Sequence, residues 1–341
     1  MRIGILTGGG DCAGLNAVLR AVARRSIRVH GSELIGFLEG WRGPVEDLSR
    51  PLSVEATDGL IGRGGTILRT SRTNPFALPR GPERILETIA KHRLDALIAV
   101  GGEDTCGVAH RMFKEHGLNI VCVPKTIDND LNATDLTFGF DTAVGVVTDA
   151  LDRLRTTAAS HGRIHVCEVM GRHAGWIACW GGIAGAADYI LVPEKPLALD
   201  RLVESVKRRH AVGGDSIIVV AEGATVEGIE VGGAAQRDAF GHERLSGIGE
   251  RIAHALEQAT GIETRTVVLG HVQRGGTPTA FDRVLATRFG VAAADLVEAR
   301  KFGRMVVLQG NRIVDVPIEA AIDTLKTLDM SLYDLAATFF E

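Results

Sequence analysis

This sequence lacks the usual signatures of a disulfide framework, a zinc site, a membrane span and a nucleic-acid-binding surface. The five cysteines form no Cys-x-x-Cys pair and lie in apolar stretches, which favours reduced thiols over disulfides or a zinc site. No run of about 18 apolar residues occurs, so we expect no membrane span. A formal net charge of -4 without any Lys/Arg-dense block argues against nucleic-acid binding. With no signal region before the first strand, we expect a cytoplasmic protein.

Two further absences narrow the fold. The sequence contains no Gly-x-x-x-x-Gly-Lys-Ser/Thr run, which excludes a P-loop, and no internal repeat, which excludes a solenoid. Of its 341 residues, 45% are hydrophobic. A chain of this length can bury a full core and can form two domains.

Short apolar runs alternate with amphipathic stretches along the chain, which predicts an α/β fold with mostly parallel sheets. A second α/β domain is expected from near residue 139, because a single sheet of this length is less favourable than two. Residues 223–242 are rich in glycine and polar residues and predict an exposed excursion. The predicted strands span residues 2–7, 34–37, 97–100, 120–123, 164–169, 189–192, 217–221, 265–269 and 305–309. The predicted helices span residues 15–24, 81–92, 105–116, 141–160, 174–186, 199–210, 247–259 and 280–299.

Charge accumulates where two neighbouring strands end. The run Gly-Gly-Glu-Asp-Thr follows one strand at 101–105, and Pro-Lys-Thr-Ile-Asp-Asn-Asp follows the next at 124–130. Carboxyl ends of parallel strands meet at one edge of a sheet, so four carboxylates and one lysine are expected close together. Such crowding costs stability unless a metal or a polyphosphate ligand balances the charge. We therefore predict a phosphoryl-transfer site formed by Glu103, Asp104, Lys125, Asp128 and Asp130.

The glycine-rich loop after the first strand supports three interpretations. Gly8, Gly10 and Ala13 match the dinucleotide fingerprint, and Glu39 could serve as its ribose-binding acid, as in a nicotinamide-dependent dehydrogenase. Asp11 argues against that, because a pyrophosphate needs the helix N-terminus free of additional negative charge. Another type of phosphate site and a plain tight turn remain open.

Asp128 and Asp130 project the same way if their segment is extended. Two carboxylates at this spacing suit a general base with a metal-binding or orienting partner. The alternative is an Asx-rich turn that caps a helix. Lys125, directly before them, favours the first interpretation because it places a cation beside the acids.

Arginines and one histidine recur at the ends of the second-domain strands. A single arginine is usually a solvated surface charge. Several beside Gly-Gly turns favour phosphate binding, because guanidinium groups match phosphate oxygens bidentately. The set comprises Arg163, Arg172, Arg265, His271 and Arg274.

Six motifs together resemble the 6-phosphofructokinases of the bacterial type, in order from about residue 2 to 300. They are Thr-Gly-Gly-Gly-Asp-Cys-Ala-Gly-Leu-Asn at 7–16, the two runs at 101–105 and 124–130, Met-Gly-Arg at 170–172, Ala-Glu-Gly at 221–223 and Gly-His-Val-Gln-Arg-Gly-Gly at 270–276. The resemblance implies two doubly wound, mostly parallel three-layer αβα domains. It places a phosphoryl-donor domain at 1–138 plus 255–303 and a fructose 6-phosphate domain at 139–254 plus 304–341. It also implies transfer to the sugar 1-hydroxyl, giving fructose 1,6-bisphosphate, with Mg²⁺.

Carried over position by position, the resemblance assigns roles to individual residues. Asp128 is the general base, with Thr126 and Asp130 beside it, and Arg72 and Lys125 balance charge on the transferring group. Glu103 and Asp104 are the implied metal-binding acids, although Glu103 replaces the aspartate usual in the family. The sugar-phosphate site comprises Met170, Gly171, Arg172, Glu222, His271 and Arg274, with Arg163 and Arg265 from a neighbouring subunit. The donor site comprises Gly9, Gly10, Arg72, Gly101, Gly102, Asp104, Thr105 and Lys125. A shared site implies a homo-oligomer, expected to be a homotetramer.

Two residues point to pyrophosphate as the donor. ATP-using relatives resemble Gly-Gly-Asp-Gly at the first motif, whereas pyrophosphate-using relatives resemble Gly-Gly-Asp-Asp and Pro-Lys-Thr. This chain has Asp104 and Lys125. The resemblance therefore implies reversible, pyrophosphate-dependent phosphorylation in glycolysis and gluconeogenesis, with an ATP-dependent enzyme as the alternative. A non-catalytic subunit is disfavoured because Asp128 and the arginines are intact.

Overall fold

The computed structural model describes residues 1–229, residue 240 and residues 247–340. Strands and helices alternate through these residues, as the sequence predicts. The strands are β1 (Arg2–Thr7), β2 (Glu33–Phe37), β3 (Ser49–Pro51), β4 (Ala96–Gly101), β5 (Ile120–Pro124), β6 (Ile164–Val169), β7 (Tyr189–Leu191), β8 (Leu197–Ala198), β9 (Ser216–Ala221), β10 (Val226–Glu227), β11 (Thr264–Val268), β12 (Arg304–Gln309) and β13 (Arg312–Pro317).

Helices fill the connections between most of these strands. They are α1 (Leu15–Ala23), α2 (Arg42–Glu46), α3 (Gly81–Lys91), α4 (Glu103–His116), α5 (Phe140–His161), α6 (Trp176–Ala184), α7 (Leu199–Ala211), α8 (Ile248–Thr260), α9 (Ala280–Glu298), α10 (Ile318–Ile322) and α11 (Met330–Ala337). Short 3-10 turns cover Glu55–Thr57, Leu60–Gly62, Pro75–Ala77 and Gly270–Arg274. None of the helices within the described ranges combines the length and the apolarity that a membrane crossing requires.

The larger sheet has the strand order β13-β12-β5-β4-β1-β2-β3 in the described part of the chain. Its five inner strands are parallel, and the two edge strands, β3 and β13, pair antiparallel. Strands β4 and β5 are buried along their whole length. Burial on both faces explains why they read as continuous apolar runs rather than alternating ones.

The smaller sheet has the order β11-β6-β9-β7, and all of its strands are parallel. Helices pack on both faces of each sheet, which gives the predicted αβα layers. The apolar cluster between the sheets includes Ile98 from the larger sheet and Cys167 from the smaller one. Leu97 and Val166, the preceding residues on the same strands, contribute to separate clusters on the outer faces.

Sheet membership differs from the predicted domain boundaries in two places. Strand β12 pairs with β5 in the larger sheet, although residues 304–341 were expected in the second domain. Strand β11 pairs with β6 in the smaller sheet, although residues 255–303 were expected in the first. Helix α9 packs on α1. Pairing between strands distant in sequence leaves little local trace, which is why the pattern did not reveal it.

Element boundaries shift by one or two residues where local chemistry decides them. Helix α4 begins at Glu103 rather than 105, and its first turn holds two acids that favour a helix N-terminus. Helix α6 is shorter than the predicted 174–186, because Gly175 and Gly185 cap its ends. Most of the predicted excursion at 223–242 lies outside the described residues. Strand β10, which belongs to the described part of this stretch, pairs with β8.

Candidate active site

Three loops at the carboxyl ends of β1, β4 and β5 lie against one another. The amide of Gly8 donates to Val100 O at 2.9 Å, and the amide of Lys125 donates to Gly101 O at 2.9 Å. A Cβ at Gly8 would lie 2.6 Å from Thr105 Oγ1, so only glycine permits this approach. The runs at 101–105 and 124–130 are therefore adjacent, as the sequence predicts, and the first glycine loop joins them.

Lys125 connects the tip of β5 to the first glycine loop. Its Nζ donates to Gly10 O at 2.5 Å, and the residue is only 4% exposed. Burial lowers the pKa of this ammonium, while nearby Asp11 opposes that shift. The cation expected beside the acids is thus present, and it also holds the loop that carries Gly9 and Gly10.

The segment after β5 is a bent loop rather than the cap of a helix. Thr126 Oγ1 accepts the amide of Asp128 at 3.1 Å. Asn129 adopts a left-handed conformation (φ 52°), and its Oδ1 accepts the amide of Thr137 at 3.1 Å. The next helix, α5, begins only at Phe140. The Asx-rich helix-cap interpretation is therefore wrong.

Asp128 is a buried acid with an unsatisfied oxygen. Burial, followed by the charge of Asp130, raises the pKa of Asp128 to about 6, and Arg274 and Arg172 oppose the rise. Within the described residues its Oδ1 has no hydrogen-bond partner. Burial also raises the pKa of Asp130, whereas a hydrogen bond from Thr126 lowers it. A buried carboxylate with an open acceptor position suits a proton-accepting role.

The loops at the carboxyl ends of β6 and β9 face this acid. Burial raises the pKa of Glu222 to about 7, the charge of Asp128 raises it further, and the charge of Arg172 opposes the rise. The amide of Gly223 donates to Gly171 O at 3.1 Å, and a Cβ at Gly223 would lie 1.9 Å from Arg172 O. The Nε of Arg172 is buried without a partner in the described residues. Asp128, Glu222, Arg172 and Arg274 therefore form one electrostatic cluster.

Arg274 connects the two halves of the molecule. Its Nη1 donates to Asp11 O at 3.3 Å and would lie 2.0 Å from a Cβ at Gly10. Gly10 thus leaves the space that the guanidinium group occupies. The 3-10 turn Gly270–Arg274 also carries His271, which is exposed.

Arg163 and Arg265 lie at the opposite ends of their strands. Arg163 precedes β6, whereas Met170 follows it, so about 20 Å of extended strand separates the two. Glu263 accepts from Arg163 Nε at 2.7 Å and also pairs with Arg265. Within a single chain these two arginines do not join the cluster around Asp128, and the expectation that they complete a neighbouring subunit's site stays a prediction.

Arg72 belongs to a loop that runs along the first glycine loop. Thr70 Oγ1 donates to Gly9 O at 2.6 Å, and the amide of Gly9 donates to Ser71 O at 3.2 Å. The buried side chain of Asn16 holds the start of this loop, because its Nδ2 donates to Arg63 O at 3.0 Å. The exposed Arg72 is therefore delivered beside Gly9, whose own backbone groups are already paired.

Glu103 and Asp104 occupy the first turn of α4, following Gly101 and Gly102. The charge of Glu103 contributes to the raised pKa of Asp130, which places the two carboxylates near each other. In residues 1–229, 240 and 247–340, no group of three or more His, Cys, Asp or Glu side chains is arranged to hold a metal ion. Mg²⁺ commonly takes only one or two protein carboxylates and completes its shell with water and substrate phosphates. The two acids are compatible with that kind of binding.

The geometry is incompatible with the dinucleotide interpretation of the first loop. A Cβ at Gly14, which caps α1, would lie 2.7 Å from the Phe138 ring, so protein covers the amino end of this helix. Cys12 is fully buried, with its Sγ 3.7 Å from Phe138 O. Glu39 is bound by Arg42 at 2.8 Å. The pyrophosphate of a dinucleotide binds at an open helix N-terminus, whereas Phe138 packs against this end of α1.

Sequence patterns did not single out Gln273 or Asp282. Gln273 is 1% exposed, and its Oε1 accepts the amide of Met170 at 2.8 Å. Asp282 is fully buried and accepts from Thr142 N at 2.8 Å, which joins α9 to α5. The sequence shows Gln273 only as a polar residue within the motif at 270–276. It shows Asp282 only as an acid in the first turn of a predicted helix. Neither pattern reveals burial.

Comparison with known proteins shows the family and the fold. Residues 2–297 match the protein family described as Phosphofructokinase. The chain is 56% identical to an Amycolatopsis methanolica protein named pyrophosphate--fructose 6-phosphate 1-phosphotransferase, with 100% of both chains covered. It is 49% identical to a Streptomyces coelicolor protein named ATP-dependent 6-phosphofructokinase 3, with 98% of both covered. The pyrophosphate-dependent phosphofructokinase of Nitrosospira multiformis shares the fold, with a TM-score of 0.86 at 20% identity over 100% of this chain and 92% of that chain.

Proposed function

The chain belongs to the phosphofructokinase family, and from this premise we propose that it transfers a phosphoryl group from pyrophosphate to the 1-hydroxyl of fructose 6-phosphate. The products are fructose 1,6-bisphosphate and phosphate, and the reaction is reversible. The observation that carries the donor assignment is Asp104 together with Lys125 at the adjoining strand ends. The full-length relative at 56% identity carries the name of the same activity.

Asp128 is the general base in this proposal. A base for a sugar hydroxyl must be ionised near neutral pH and must have an open acceptor position. The raised pKa of Asp128, about 6, and its unsatisfied Oδ1 support the role. Thr126 and Asp130 orient the loop, because Thr126 Oγ1 accepts the Asp128 amide and donates towards Asp130.

The loops of the smaller sheet bind the sugar phosphate. Arg172 and Arg274 supply guanidinium groups beside Asp128, and Glu222 supplies an acceptor for sugar hydroxyls. Met170, Gly171 and His271 complete this wall. Arg163 and Arg265 act in the site of a neighbouring subunit, which requires a homo-oligomer and in our proposal a homotetramer. The half with the larger sheet binds the donor and the other half binds the sugar.

The donor lies over the first glycine loop and the Gly101–Thr105 end of β4, near Arg72 and Lys125. A carboxylate at position 104 fills space that an α-phosphate of ATP needs and repels its charge. Repulsion between two anions about 4 Å apart amounts to roughly 1 to 4 kcal/mol at effective dielectrics from water to near-surface protein. The buried ammonium of Lys125 offsets the high charge of the shorter donor.

Mg²⁺ is the cofactor of this reaction in our proposal, and Glu103 and Asp104 would hold it. When bound, it neutralises negative charge on the transferring phosphoryl group. The five buried, unbonded cysteines suit the reducing cytoplasm, where we expect this glycolytic step.

ATP as the donor is the second candidate, because relatives at 49% identity are named ATP-dependent 6-phosphofructokinases. Both donors share the acceptor, the base and the sugar site. The distinction therefore depends on position 104 and its surroundings.

One experiment tests the acceptor and the donor together. Wild type and Asp104→Gly are assayed with fructose 6-phosphate, Mg²⁺ and either pyrophosphate or ATP. We expect wild type to use pyrophosphate, and Asp104→Gly to shift the ratio of ATP turnover to pyrophosphate turnover at least tenfold towards ATP, since tenfold corresponds to about 1.4 kcal/mol.

Asp200→Gly is the matched control, because Asp200 also occupies the second position of a helix, α7, and is exposed. Asp200→Gly should lower helix stability by about as much as Asp104→Gly does, and it should leave the preference for the donor unchanged. Wild-type turnover with ATP alone would refute the donor assignment, and turnover with neither donor would refute the proposed function.

A further inference from the structure

Gln273 is buried inside a turn whose neighbouring side chains face solvent. His271 and Val272, directly before it in the turn Gly270–Arg274, are both exposed, whereas Gln273 is 1% exposed. Its Oε1 accepts the backbone amide of Met170 at 2.8 Å. A glutamine is among the residues that rarely lie fully buried, so a specific contact must account for its position.

This hydrogen bond joins two loops that diverge after their strands end. The last register pair between β11 and β6 is Val268 with Glu168, and the amide of Leu269 still donates to Glu168 O at 3.0 Å. Beyond that point the side chain of Gln273 continues the connection to Met170. It therefore fixes the loop that leads to Arg172 relative to the turn that ends at Arg274.

The opposite side of the loop that contains Met170 is held by the residues that follow β9. The amide of Glu222 donates to Val169 O at 2.9 Å, and that of Gly223 donates to Gly171 O at 3.1 Å. Gly171 has a φ of 135°, which glycine tolerates and other residues rarely adopt. A loop with such a backbone, held from one side only, would be free to change the direction of Arg172.

The second polar atom of Gln273 argues against a purely stabilising role. Its Nε2 is buried and has no hydrogen-bond partner among the described residues. An unpaired buried donor costs stability, so a residue selected for stability alone would not carry one.

We propose that Gln273 is a positioning residue for the sugar-phosphate site. By holding the Met170 amide it aligns the guanidinium groups of Arg172 and Arg274 towards one anionic group. This inference rests on the proposed function, since it assumes that these two arginines bind the phosphate of fructose 6-phosphate. It does not depend on the identity of the donor.

Two variants test the proposal by steady-state kinetics. Gln273→Leu removes the acceptor and should raise the KM for fructose 6-phosphate about tenfold, the size expected for one lost hydrogen bond that leaves an amide unpaired. The KM for the donor should stay within twofold. Gln273→Glu keeps an acceptor oxygen at the same position but adds a carboxylate that repels the sugar phosphate, so its KM for the sugar should also rise and its amide exchange is the diagnostic measurement.

Hydrogen exchange provides a readout that does not need activity. The Met170 amide should exchange faster in Gln273→Leu and remain protected in Gln273→Glu, while Gln258→Leu, at an exposed position on α8, should match wild type in both assays. An unchanged sugar KM in Gln273→Leu, or equal rises for both substrates, would overturn the positioning role. If wild type phosphorylates no fructose 6-phosphate, the proposed function fails, and the exchange result still decides whether Gln273 holds this loop.

Discussion

Asp128 and Glu222 retain their protons to a higher pH than exposed acids do. Burial is the main cause for both. The charge of Asp130 also raises the pKa of Asp128, which is about 6, and the charge of Asp128 also raises the pKa of Glu222, which is about 7. Arg172 and Arg274 limit the rise in both cases. An acid tuned to within about a unit of neutral pH is suited to accept a proton and later release it.

Replacing Asp128 should remove most of the activity and should abolish the rise of kcat/KM with pH on the acidic side. A general base works only when ionised, so kcat/KM of wild type should rise with pH through about 6 and level off above it. Asp128→Asn should lower kcat at least ~10²-fold and should lose this rise. Initial rates between pH 5 and 8 measure both effects, with Asp152→Asn on the exposed face of α5 as the control. Near-normal turnover in Asp128→Asn would exclude the base role.

Lys125 illustrates how a single residue serves two purposes. The sequence assigned it to the donor, and the structure adds a hydrogen bond from its Nζ to Gly10 O at 2.5 Å. Burial lowers the pKa of this ammonium, and Asp11 counteracts the shift. The same charge thus holds the glycine loop and lies where the donor is proposed to bind.

At the scale of whole elements, loops from the two sheets contact each other across the site. Gly10, after β1, leaves the space into which Arg274, after β11, extends. The donor loop therefore determines where one of the proposed sugar-phosphate ligands lies. Small changes in the glycine loop are expected to affect binding of the sugar.

Gly10→Ala should weaken sugar binding without unfolding the protein. The new methyl would lie 2.0 Å from Arg274 Nη1, and the flexible end of that side chain can move aside. We expect the KM for fructose 6-phosphate to rise at least about tenfold, because a displaced guanidinium group loses a charge-assisted hydrogen bond. Gly107→Ala, on α4 with open space around it, should leave the KM unchanged and stabilise the helix slightly. Equal KM values in both variants would contradict this account.

At the scale of the whole molecule, buried acids make stability depend on pH. Asp282 joins α9 to α5 through Thr142, and burial raises its pKa to about 6. Its Oδ1 has no partner in the described residues. Since the folded pKa lies above the unfolded value of 3.8, the folded state binds more protons between these values, and this group lowers stability as pH rises from about 4 to 6.

Asp282→Asn should therefore remove part of the pH dependence. Asparagine still accepts from Thr142 but carries no charge, so the free energy of unfolding should fall less between pH 4.5 and 7 than in wild type. The difference has an upper limit of about 3 kcal/mol, from a pKa shift of roughly two units. Urea unfolding across this range measures it, with Asp152→Asn as the reference. Parallel pH profiles for wild type and Asp282→Asn would rule out this contribution.

The sequence by itself determined the alternation of the main strands and helices, the residues at the strand ends and the family. It did not reveal the short or peripheral elements β3, β8, β10, β13, α2, α10 and α11. Apolar runs, glycine turns and charged motifs are local, so the sequence indicates that Asp128, Arg172 and Arg274 follow strand ends, and the fold brings these three together. Asp104, expected just before a helix at 105–116, lies in the first turn of α4. Tertiary structure alone decided which sheet receives β11 and β12, because their partners are distant in the chain. It also decided that Arg163 and Arg265 pair with Glu263 away from Asp128, and that Gln273 holds Met170. Burial and strand pairing depend on contacts between distant segments, and no local pattern encodes them.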